Sequence, residues 1–139
     1  MKTITLFLLK FALVAILLAI IFRYLLSYGI DHKTYIVIIL AAVLYGIGMF
    51  ISGWYFGIKD GEYLPIHDVG FRFHFTTYLI HNLISELWFV FSFNSGYERV
   101  GIIHITAIIW GFFLLCHFLF FLRARKNSID NLDKTSLFE

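Results

Sequence analysis

Four apolar runs separated by short polar links divide this chain, at residues 4–26, 35–56, 73–93 and 100–122. A helix needs about 20 mostly apolar residues to cross a bilayer, and each run reaches that length. The pattern therefore predicts an all-α integral membrane protein, with four transmembrane helices in an antiparallel bundle. One transmembrane domain occupies residues 1–126, and residues 127–139 form a polar cytoplasmic tail. Lys2 ahead of the first run imitates a secretory signal, but Lys10 interrupts that run and its apolar character continues past Ala19. Both features argue for a retained span.

Within the runs, the side-chain types differ by face. The first carries Ala12, Ala15, Ala19 and Arg23 along one stripe, where small residues let helix backbones approach. Arg23 and Lys10 read as anchors whose long side chains reach toward the headgroups. In the second run Ala42, Gly46, Met49, Gly53 and Gly57 fall within about 80° of one another at ~100° per residue. Gly53-Trp-Tyr-Phe-Gly57 is a GxxxG match, so this seam is expected to receive another helix of the bundle or of a second protomer.

The third run is the most informative, because one side of it is polar. His74, Thr77, Tyr78, His81, Ser85 and Ser92 share an arc, with Asn82 and Glu86 at its flank. The opposite arc is Leu79, Ile80, Leu83, Ile84, Leu87, Val90 and Phe91. Ionisable groups at membrane depth are costly, so His81 and Glu86 mark a candidate site.

Composition agrees with the pattern. The 139 residues are 60% hydrophobic and 14% charged, against about 25% charged in ordinary soluble domains. Four crossings would put Lys2, Lys59, Arg72, Arg123, Arg125, Lys126 and Lys134 on one side and Arg23, Lys33 and Arg99 on the other. That asymmetry predicts an inner (cytoplasmic) membrane protein with both termini in the cytoplasm. A net charge of +2 gives no basis for nucleic-acid binding. Cys116 is the single cysteine, which excludes dithiol chemistry by the chain alone. In the longest link Asp60-Gly61 signals a turn, Pro65 suits the first residue of a helix, and Asp68 can pair with Arg72. The two outer links, 31–33 and 94–99, read as plain polar turns.

His67, His74 and His81 recur every seven residues, which stacks them on one helix face about 10.5 Å apart. Ligands of a single metal lie about 2 Å from it, so these three cannot share one ion. A cofactor would need the fourth span. His81 and His117, placed about 5 Å apart in depth by the run boundaries, are the candidate ligands of a haem b. On the outer half, Glu86 and His104 are placed to bond. With Ser85, Asn82, His81, Tyr78 and His74 they form a line of exchangeable protons, the sort of series that transporters use.

No phosphate-binding loop, histidine box or paired-carboxylate motif is present, so no enzyme class is indicated. The leading expectation is a small membrane subunit or interaction protein holding a polar His/Glu network. It would work in the lipid bilayer as a homo-oligomer or within a larger complex. A proton or small-ion pathway, and a haem-bearing or quinone-linked redox subunit, are the alternatives.

Overall fold

A computed structural model describes residues 4–62, 64 and 66–130, with the side chains of 66, 67, 125 and 127–130 left out of the description. The chain is all-helical: α1 Leu6–Asp31, α2 Tyr35–Gly61, α3 Ile66–Val90 and α4 Val100–Asp130. α1, α2 and residues Val100–Ala124 of α4 are long and apolar enough to cross a membrane. α3 is long enough, but its polar arc lowers its apolar content below that of a typical span.

The helix boundaries shift two of the expectations. α3 begins at Ile66 rather than 73, and α4 continues to Asp130, through the first residues of the expected tail. Pro65, the side chain of His67 and residues 131–139 lie outside the described residues. Asp60-Gly61 is not a turn: α2 runs through it, and Asp60 is buried against the start of α1. There Thr5 caps α1, its hydroxyl oxygen accepting from the Leu8 N–H at 3.1 Å. The same hydroxyl donates to the Asp60 carboxylate at 2.7 Å, tying the two helix ends together.

α1 packs along both α2 and α3, whereas α4 packs along α3 and, among the described residues, along neither α1 nor α2. The core lies between α1 and α3, where Leu8, Phe11, Ala15, Val69 and Phe73 cluster with Met49 and Phe56 of α2 at the edge. The Phe11 and Phe73 rings are 4.7 Å apart. The buried stripe of α1 continues through Ala19 to Arg23 and Ser27, so the small-residue face read from the sequence is its packing face.

The glycine seam of α2 packs at Met49, Gly53 and Gly57 but not at Ala42 and Gly46. Ala42 and Gly46 are exposed, and a Cβ added at Gly46 would meet nothing within 4 Å. The close approach to α1 is made instead at buried Ala41 and at Gly48, whose added Cβ would sit 3.2 Å from Leu18. Gly53 and Gly57 keep ordinary contact distances to Phe11 and Val69. The tightest point is the α1–α2 corner, where a Cβ on Gly29 would lie 2.7 Å from Ile38 Cγ1. Gly29→Ala is therefore expected to cost about 1–3 kcal/mol, the range for overpacking a filled site. Gly46→Ala should be neutral or stabilising by up to ~1 kcal/mol, since helix propensity improves and nothing is displaced. Thermal unfolding of both variants in detergent checks the pair.

Candidate functional site

Three polar groupings lie along α3, and they face different neighbours. The outermost joins the end of α1 to the link between α3 and α4. Arg23 is 4% exposed, and its Nη2 donates to Glu98 Oε2 at 2.6 Å. The other carboxylate oxygen of Glu98 accepts from the Ser27 hydroxyl at 2.5 Å and from the Ser95 N–H at 3.1 Å. Ser27 in turn accepts from the Trp88 indole N–H at 3.0 Å. Ser95 donates to Asp31 at 2.5 Å and accepts from the Tyr97 N–H at 3.2 Å. The Arg23 guanidinium also lies 5.6 Å from the centre of the Phe89 ring. Its Nε is buried with no hydrogen-bond partner among the described residues.

This cluster corrects two expectations. Arg23 is a buried ion-pair partner, not an anchor in the headgroups, because α1 turns it onto the same stripe as Ala15 and Ala19. The link 94–99 is folded back against α1 rather than left as a plain turn. The available signal was Arg23 with Ser27 one turn later in an otherwise apolar helix, together with an acidic residue in the facing link.

The middle grouping is His81. Its Nδ1 lies 3.0 Å from the Tyr45 hydroxyl of α2, with Phe22 of α1 stacked on Tyr45 at 4.7 Å and Trp110 of α4 at 5.4 Å from the imidazole. Tyr45 sits in a run of aliphatic residues and drew no attention as a partner. One turn toward the N-terminus, the Tyr78 hydroxyl donates to the Ala107 carbonyl at 3.2 Å and packs over Gly111. The Asn82 amide is turned back onto the Tyr78 carbonyl at 2.7 Å, and Ser85 is 2% exposed.

The third grouping is split between the two ends of the α3–α4 seam. His74 meets His117 edge-on with ring centres 5.2 Å apart, and Phe71 lies 6.1 Å from His117. At the other end Glu86 Oε1 and His104 Nε2 are 2.9 Å apart, as the two helices' antiparallel course allows. Their side chains remain 42% and 57% exposed.

These contacts set the register, and it does not suit a haem between His81 and His117. His117 stands at the level of His74, two turns and about 10.5 Å from His81 along α3. Two axial nitrogens must each come within about 2 Å of one iron. His81 is directed instead to Tyr45 and Trp110. The depth estimate misplaced the pair because it set residue 73 level with residue 122, whereas the helices pack with His74 level with His117 and Glu86 with His104. Among the described residues no group of three or more His, Cys, Asp or Glu is placed to hold a metal.

The proton line is likewise divided. His81 bonds toward α2, Glu86 toward α4, and Asn82 between them is occupied with backbone. Comparison with family models, curated proteins and solved structures finds no match.

Proposed function

We propose that this chain is a small four-crossing membrane subunit that acts by associating with other membrane protein through the face formed by α3 and α4. The observation that carries this reading is the Glu86–His104 pair, hydrogen-bonded at 2.9 Å yet about half exposed in a single copy. Glu86 lies four residues before the end of α3 at Val90, roughly 6 Å along the helix. Ionisable groups at that depth normally face protein or water, and a protein partner would cover this pair.

The packing supports the same reading. Among the described residues α4 rests on α3 alone, so most of its surface awaits either lipid or another helix. Gly101, where an added Cβ would meet nothing within 4 Å, would let a partner approach, whereas Gly111 is already covered by Tyr78 of α3. If α4 crosses the membrane, its antiparallel contact with α3 makes α3 cross as well. Both termini would then share a side, and the lysine and arginine distribution favours the cytoplasmic side of an inner membrane for them. The proton-path reading is supported less, because the exchangeable groups point to three different neighbours. Photo-crosslinking from Ile108 in α4, beside His104 on the exposed face, tests the association.

A further inference from the structure

We propose that the cleft between α2 and α3 is a binding site for an isoprenoid-quinone type of lipid, its flat ring held by aromatic side chains and a carbonyl of that ring accepting a hydrogen bond from His74. This site lies on the side of α3 away from the Glu86–His104 pair and does not depend on the association proposed above.

The cleft exists because glycines stand on both sides of it. Gly53 and Gly57 of α2 face Gly70 of α3, and a Cβ added at Gly70 would meet nothing within 4 Å. The resulting space of about 400 Å³ adjoins a second section of about 590 Å³, which shares those glycines and continues to Gly61 and Glu62 at the end of α2. Small-molecule sites run from about 300 to 1,000 Å³, mostly apolar with a few directed polar groups. A slot without side chains on its flanks admits a flat ring or a thin tail, and excludes nothing by charge.

Its lining supplies the recognition. Phe11 and Phe73 close the inner side, and Trp54 stands exposed at the rim toward the surrounding lipid. Two polar side chains, His74 and Thr77, also line it. The Thr77 hydroxyl spends its proton on the Phe73 carbonyl at 2.9 Å, so it offers only lone pairs. His74 is different: its ring is held edge-on by His117, and among the described residues its nitrogens make no hydrogen bond. An imidazole N–H in the wall of an aromatic slot is a donor in need of an acceptor. A quinone carbonyl next to an aromatic face meets both requirements, whereas a saturated acyl tail uses neither.

The test titrates the full-length protein in nanodiscs with a decyl-tailed benzoquinone, followed by quenching of Trp54 fluorescence in a chain whose Trp88 and Trp110 are replaced by Phe. Saturable quenching is expected. Gly70→Leu, which fills the slot from a position with free space, should abolish it. His74→Phe, which keeps an aromatic ring and removes the donor, should weaken binding about tenfold, the value of one net hydrogen bond near 1.4 kcal/mol. Helical content and monodispersity of each variant confirm folding. Non-saturable quenching by the parent chain, or unchanged binding in folded Gly70→Leu, overturns the site. Displacement of the quinone by decanol at equal concentration overturns the ring assignment, and so does unchanged affinity in His74→Phe.

Discussion

Replacing Glu98 by Ala is expected to destabilise the folded protein by about 3–5 kcal/mol, the cost of leaving one member of a buried ion pair alone. Arg23 cannot shed its charge, and at 4% exposure it has no route to water without moving α1. Its remaining favourable neighbour would be the face of Phe89, which is worth far less than a carboxylate. Loss of Glu98 also strips acceptors from the Ser27 hydroxyl and the Ser95 N–H, so the link 94–99 should detach from α1. The double variant Arg23→Met/Glu98→Leu should recover most of the stability, since apolar replacements of a buried pair are often neutral or better. A double variant as unstable as Glu98→Ala would show that the charges themselves, not their pairing, hold the fold. Unfolding by SDS titration in mixed micelles measures all three.

Phe11→Ala is the second large effect, expected to cost about 3 kcal/mol. Phe11 is 1% exposed, packs with its ring centre 4.7 Å from that of Phe73 in a tilted pair, and touches the α2 side at Gly53. Truncations of this size cost about 3–5 kcal/mol in soluble cores. The low end is expected here, because in lipid the transfer part of that cost is small while the lost packing and the cavity remain. Phe11→Leu, which refills most of the volume, should cost less than half as much. Equal losses for the two substitutions would mean that the ring pair itself, rather than the filled space, matters.

What the sequence made legible follows from which physical rule each feature obeys. Apolar run length found α1, α2 and α4, because bilayer thickness acts on each helix separately. It also located the polar arc of α3 and the Glu86–His104 contact, since both depend on local periodicity and a short connection. The α2 packing line was right at Met49, Gly53 and Gly57 and wrong at Ala42 and Gly46, because helix rotation is set by the whole set of neighbours and not by glycine spacing. Ala41 and Gly48 face α1 while Gly46 faces outward. Depth matching failed for His81 and His117 because the ends of two apolar runs do not fix the register in which their helices pack, which sets His117 beside His74. The Arg23–Glu98 pair was hidden for a further reason: its partners are 75 positions apart, and no periodicity links them.

The central claim is that a protein partner covers the α3–α4 face. Its most direct test places a photo-activatable amino acid at Ile108, which is 72% exposed near His104, and at Ile47 on the outer face of α2, which is 51% exposed. Both are irradiated in native membranes and the products resolved by mass. The account predicts a discrete protein adduct from Ile108 that is lost when Glu86→Leu and His104→Leu are combined, with only lipid adducts from Ile47. Lipid adducts alone from both positions, or an Ile108 adduct indifferent to the loss of the pair, would contradict it.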